Sequence, residues 1–222
     1  MSDKNAVTTS KVFSLAFLFS VLVIVGGCNV EQGSGVAKIV HYDLAEFDSI
    51  DMRGTGEMLV EVGGEQSVTL QFDDNLIDMV TVEVVDGVLV VDSQGAYSSS
   101  IGKKILVSMP QLKNATLSGV GEMEVTGIEQ ESLNLSISGT AEMTVSGTAG
   151  KVVADVSGTG ELEAQKLVAK EVVVSVAGTA DATVFASESV NATTSGVGDI
   201  EVYGNPQDRK QSEDGVGDVT FK

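Results

Sequence analysis

The sequence predicts an all-β protein: a short parallel β-helix, read as a right-handed β-solenoid, preceded by an irregular N-terminal β region. Three observations carry this expectation. A corner pattern recurs down the C-terminal half, as Gly119-Val-Gly-Glu-Met123, Gly139-Thr-Ala-Glu-Met143, Gly158-Thr-Gly-Glu-Leu162, Gly178-Thr-Ala-Asp-Ala182, Gly196-Val-Gly-Asp-Ile200 and Gly215-Val-Gly-Asp-Val219. Its leading glycines are 20, 19, 20, 18 and 19 residues apart, which gives rungs of about 19 residues. Apolar and polar residues alternate with period two on both sides of each corner, as strands with one buried face require. The chain is also rich in Val, Gly, Ser and Thr, with two prolines and no tryptophan, a composition of strands and turns. An earlier copy, Gly54-Thr-Gly-Glu-Met58, sits outside the rhythm.

In chain order, Lys4 and Lys11 precede an almost wholly apolar run, Val12 to Val25, of signal-peptide length. Val25-Gly26-Gly27-Cys28 follows, and resembles a bacterial lipobox. That resemblance implies cleavage after residue 27, so that 1–27 is a lipoprotein signal peptide and Cys28 carries acyl chains inserted in a membrane. An ordinary secretory signal and an uncleaved membrane anchor are the alternatives. Asn29, in place of Asp, points to the outer membrane in a Gram-negative envelope. Residues 28–36 read as the lipidated cysteine and a short polar tether, which extended reaches only about 25–30 Å.

Residues 37–110 read as strands of irregular spacing. Val68-Thr-Leu-Gln-Phe72 alternates cleanly, Asp73-Asp74-Asn75 marks a turn, and a single helical turn fits Leu76 to Met79. Val80–Val84 and Val88–Val91 flank Asp86-Gly87, a hairpin signal. Gln94 to Lys103 reads as a polar loop, and Ile105–Met109 as a strand closed by Pro110.

Residues 111–222 form the repeats. Counting each leading glycine as zero, positions −6, −4 and −2 are Leu133, Leu135 and Ile137, then Val152, Ala154 and Val156, then Val172, Val174 and Val176. Positions +4 and +6 include Met123 and Val125, Met143 and Val145, and Ile200 and Val202. Stacking turns each position into a column of the core. Gly119, Gly139, Gly158, Gly178, Gly196 and Gly215 are structural corners, needing either φ > 0 or close backbone approach. In the final copy the inward positions are Arg209, Gln211 and Glu213, which suits a terminal cap.

Composition excludes several functions. Thirteen Lys plus Arg against 32 Asp plus Glu give a net charge of −19, which opposes nucleic-acid binding. Cleavage after residue 27 would remove Asp3, Lys4 and Lys11, giving 11 − 31 = −20. His41 is the sole histidine and Cys28 the sole cysteine, so a histidine-based triad or multi-histidine metal site is nearly excluded. The Gly-x-Gly copies open no helix, so they do not form a dinucleotide site.

The order of these motifs resembles the DUF2807 family, the autotransporter adhesin head GIN domain. The resemblance rests on Phe47-Asp-Ser-Ile50-Asp-Met52-Arg-Gly54-Thr-Gly56, Gly87-Val-Leu-Val90, Val107-Ser-Met109-Pro110-Gln-Leu112, the repeated corners, and Val202-Tyr-Gly204-Asn-Pro206. It implies a β-helix-like bacterial envelope protein with an adhesive role, and supplies no catalytic residue.

One ordered chemical feature remains, the acid at position +3: Glu122, Glu142, Glu161, Asp181, Asp199 and Asp218, with Glu57 in the early copy. Stacked about 4.8 Å apart, neighbouring carboxylates repel by about 0.9 kcal/mol in water and roughly 3–4 kcal/mol at an effective dielectric of 20. The column must be solvated, bonded to corner N–H groups, or neutralised by cations, of which Ca²⁺ is the candidate. Recurrence in every rung favours a solvated seam over a site. Outward Asn114, Thr116, Asn134, Ser136 and Asp155 make a second polar face. The expected function is a membrane-anchored, non-enzymatic binding or adhesion module of the envelope, whose partner is an envelope protein or carbohydrate. The alternatives are a structural or signalling-associated envelope protein and a carbohydrate-active enzyme using such acids.

Overall fold

The structure, a computed structural model, describes residues 30–222. The expected signal peptide and Cys28 lie outside the described residues. The strands are β1 (Val30–Gln32), β2 (Ala37–Tyr42), β3 (Ser49–Met52), β4 (Thr55–Val62), β5 (Ser67–Asp73), β6 (Val80–Val85), β7 (Val88–Ser93), β8 (Ala96–Ser98) and β9 (Lys104–Met109). They continue as β10 (Asn114–Leu117), β11 (Val120–Ile137), β12 (Thr140–Thr194), β13 (Ile200–Tyr203), β14 (Asp208–Glu213) and β15 (Val219–Phe221). A single 3-10 turn, Ile77–Met79, interrupts them where a helical turn was expected. The protein is all-β.

Parallel pairing dominates. Val120 lies beside Thr140, 20 residues on; Leu133 beside Val152, 19 on; and Ala182 beside Ile200, 18 on. The 55-residue run of β12 turns at its glycines, so that the Thr159 N–H reaches the Gly139 carbonyl at 3.0 Å. Each corner copy therefore rests on the one before it.

The early copy at Gly54 joins the same ladder. Thr55, Gly56, Glu57 and Met58 pair in register with Val120, Gly121, Glu122 and Met123, although Gly54 and Gly119 are 65 residues apart. The intervening chain explains the irregular spacing. Strands β7 and β9 add parallel to β3 and β4; β6 and β5 then add antiparallel, and β2 lies antiparallel beyond β5. The hairpin turn sits at Asp86 and Gly87, with φ of 51° and 78°, as an Asp-Gly turn requires.

The core is one cluster running from Phe47 to Val219. The expected inward columns are buried, from Leu133, Leu135 and Ile137 to Ile200 and Val202. Burying each such side chain stabilises the fold by about 1.5–3 kcal/mol. A further buried set, Ile128, Ala149, Leu167 and Ala186, follows the +6 positions. Ile128 and Ala149 escape a period-two reading because they stand singly among glycines and polar residues. At the C-terminal end Arg209, Gln211 and Glu213 pair with Val190, Ala192 and Thr194, and the Arg209 guanidinium lies 4.5 Å from the Phe221 ring centre. This is the polar terminal layer the sequence predicts.

Two regions differ from expectation. The stretch from Val30, expected as a short polar tether, is docked: β1 pairs parallel with β8. The expected loop Gln94–Lys103 contains β8 and ends on a buried lysine, Lys103.

Candidate binding face

The corner glycines are dictated by close approach. A Cβ on Gly119 would lie 1.8 Å from the Gly54 carbonyl oxygen, and one on Gly139 1.9 Å from that of Gly119. The contacts at Gly158, Gly178, Gly196 and Gly215 are 2.5, 2.5, 2.1 and 2.1 Å, each to the glycine of the preceding copy. Any side chain there would push apart backbones that are hydrogen-bonded across the corner. Position +2 faces inward, where Ala141 and Ala180 are buried between glycines.

This stacking aligns the +3 acids. Register places Glu57 beside Glu122 and Glu122 beside Glu142; Glu142, Glu161 and Asp181 line one shallow trough of about 520 Å³. The row is exposed except at half-buried Glu57. Its two ends are partnered differently. Lys104, next in register to Glu57, donates from Nζ to Glu57 Oε1 at 2.9 Å. At the other end the carboxylate of Asp181 accepts the Asp199 N–H at 2.8 Å, and that of Asp199 accepts the Asp218 N–H at 2.9 Å. Between them Glu122, Glu142 and Glu161 have no ion pair among the described residues. Partial burial, then Glu163, Glu142 and Asp181, push the Glu161 carboxyl above its ordinary range. Among the described residues no group of three or more acidic, His or Cys side chains is arranged to hold a metal ion.

The trough continues past Val120 and Glu122 into a cleft of about 640 Å³ that Tyr97, Ile101, Lys104 and Glu57 also line. Tyr97 stands edge-on to Phe72, with ring centres 5.2 Å apart, and its hydroxyl donates to the Thr55 carbonyl at 3.3 Å. Beneath this corner lies Lys103, 4% exposed. It occupies the inward +2 position of the preceding layer, opposite Gly56, whose missing Cβ leaves room for its stem. Its ammonium donates to the Ser93 hydroxyl. Burial lowers its pKa from 10.5 to about 8. The sequence signal for Lys103 was available: Lys103, Ile105, Val107 and Met109 keep one alternation.

Part of the second polar face is tied up in itself. Asn134 donates to the Asn114 side-chain oxygen at 2.8 Å, and Asn114 to the Ser49 hydroxyl at 2.8 Å. Such a ladder stabilises the stack and leaves fewer free groups for a ligand.

Comparison with known proteins agrees with this geometry. The sequence profile described as "Putative auto-transporter adhesin, head GIN domain" matches residues 46–206. The chain belongs to the DUF2807 family. A "putative adhesin" from Bacteroides fragilis is 24% identical, with a TM-score of 0.73, covering 86% of this chain and 99% of its own. A "putative adhesin" from Parabacteroides distasonis is 21% identical, with a TM-score of 0.54, covering 87% and 100%. A "putative lipid binding protein" from the same organism is 20% identical, with a TM-score of 0.51, covering 86% and 98%. At these identities the likeness concerns the fold. No curated protein matches the sequence. DUF2807 membership makes the chain a member of an adhesin-like group and assigns no catalytic residue.

Proposed function

We propose that this DUF2807 protein is a lipid-anchored lipoprotein of the bacterial outer membrane, acting as a non-enzymatic binding module of adhesion type. Its body is read as a parallel β-solenoid, because the chain returns beside itself every 18 to 20 residues in register, and as right-handed, the usual hand of parallel crossovers. The observation that carries the functional reading is the trough. Register converts a repeated residue into a continuous surface, and Glu122, Glu142 and Glu161 stand in it without ion-pair partners among the described residues. A repeated surface suits an extended ligand, an envelope protein or carbohydrate, that presents cationic groups at rung spacing. It does not suit catalysis, which needs one distinctive pair of groups.

The test is capture from the organism's own envelope by the intact lipoprotein and by the triple variant Glu122→Gln, Glu142→Gln, Glu161→Gln. The expected result is a bound component that single variants weaken in steps and the triple variant loses. A component captured equally by the triple variant would remove the trough from the account. A turnover activity lost at one acid alone would replace binding with catalysis. Lipidation itself is checked by palmitate labelling, expected to vanish in Cys28→Ala.

A further inference from the structure

The docked N-terminal segment has a consequence for how the molecule meets its membrane. Val30 to Gln32 pairs with Ala96 to Ser98, and the Gly33 N–H continues the ladder to the Ser98 carbonyl at 2.8 Å. Gly33 packs on the fully buried Asp73, where a Cβ would lie 2.6 Å from the carboxylate. Asp73 accepts the Gly35 N–H at 2.6 Å and the Ser99 hydroxyl. Asn75 accepts the Ser34 N–H and donates to the Gln32 carbonyl, both at 2.9 Å. The segment from Val30 to Gly35 is thus fixed, through Ser98, Asp73 and Asn75, to one end of the ladder, the end on which β5 and then β2 lie.

Around this strap sit large apolar side chains that the core does not use. Val30 is 55% exposed, Val36 and Ile39 58%, and Ile101 38%. Gly35 lies against Ser100, which joins the strap to the Ile101 loop, and Ile39 stands on the outermost strand. Only one residue, Asn29, separates Cys28 from Val30, a span of at most about 7 Å. An acyl chain on Cys28 would leave no room for the body to stand off from the lipid.

We propose that the strap, β2 and the Ser99–Gly102 loop form a bilayer-contacting surface, with Val30, Val36, Ile39 and Ile101 seated in the headgroup layer. This rests on the lipid-anchor reading above. The partner is a phospholipid surface, and the corner row with its acidic trough runs away from it. Apolar side chains at the headgroup boundary gain burial there, while the surrounding acids remain hydrated. Val197 and Val216 are exposed at the far end beside Asp199 and Asp218, and serve as controls.

The chain has no tryptophan, so single-tryptophan variants report position without background. The acylated full-length protein is reconstituted in phosphatidylethanolamine vesicles containing brominated lipid. Ile39→Trp and Val36→Trp should lose emission to the bromine; Val197→Trp and Val216→Trp should keep it. Flotation with the vesicles but no difference between the two ends would overturn the contact surface and leave the anchor standing. Failure to float would overturn the anchor, and the contact surface with it. Inserting ten Gly/Ser residues between Asn29 and Val30 adds about 30 Å of reach and should restore the emission of Ile39→Trp. Unchanged quenching after that insertion would contradict a contact imposed by the short connection.

Discussion

The N-terminal layers and the C-terminal repeats occupy the same columns of one ladder but fill them by opposite means. In the repeats, position +2 is Gly or Ala and position +3 an acid, because each residue must fit beneath an identical neighbour. In the β9 layer, next to the end of the ladder, the same two positions are Lys103 and Lys104. A column that ends need not match the next copy, so it can hold a long side chain under the corner and a cation on the acid row. The repeats gain stability by sameness; the end layers gain it from singular contacts such as Asp73 with the strap.

Breaking the sameness should have the largest effect. Gly139→Val places a side chain against the Gly119 carbonyl, and should cost about 4 kcal/mol or more, or prevent folding, in urea titration. Gly87→Ala, at φ 78° with nothing within 4 Å, should cost only about 1–2 kcal/mol. Equal costs would contradict close approach as the reason for glycine at Gly139, whose φ is not positive.

Singular contacts come next. Asp73→Ala leaves the Gly35 N–H and Ser99 hydroxyl without their acceptor and should cost about 2–3 kcal/mol. Amide exchange should accelerate at Gly33 and Gly35, while the repeat amides stay protected.

Lys103 gives a pH signature. Its folded pKa is near 8 against 10.5 ordinarily, so between those values the unfolded chain binds more protons and stability rises with pH. The rise should be absent in Lys103→Met. That variant should equal or exceed the wild type at pH 7, because an apolar side chain replaces a buried charge.

The smallest effect belongs to the acid row. Glu161 is raised by burial and its like-charged neighbours, so the folded state holds its proton more tightly and loses stability as pH climbs through that range. Glu161→Gln should raise Tm slightly at neutral pH in low salt, and the gain should fade in 1 M salt.

The fold was legible where the chain repeats itself. Period-two alternation placed the inward columns, from Leu133 to Val202, and the corner glycines marked where layers touch. The acids at +3 could be aligned from spacing alone. The end layers were less legible, because their neighbours are distant in sequence. Nothing local announces that Thr55 lies beside Val120, or that Asp73 accepts from Gly35. Lys103 was the exception: its place in the alternation with Ile105 was visible, but a lysine closing a polar, serine-rich stretch reads as loop. Among the described residues the acid row has Lys104 at one end, backbone N–H groups at the other and no ion pair between, a distribution that spacing does not reveal.

The N-terminal layers and the repeats form one ladder in a single register. A disulfide tests it most directly. Leu59 and Glu124 are paired across β4 and β11, and Thr144 is the next residue in that row. Adjacent strands lie about 4.8 Å apart, within disulfide reach, whereas strands two layers apart exceed it. In a Cys28→Ser background, Leu59→Cys with Glu124→Cys should oxidise readily in the folded protein. Leu59→Cys with Thr144→Cys should not. A preference for the second pair, or equal slow oxidation of both, would contradict the single register.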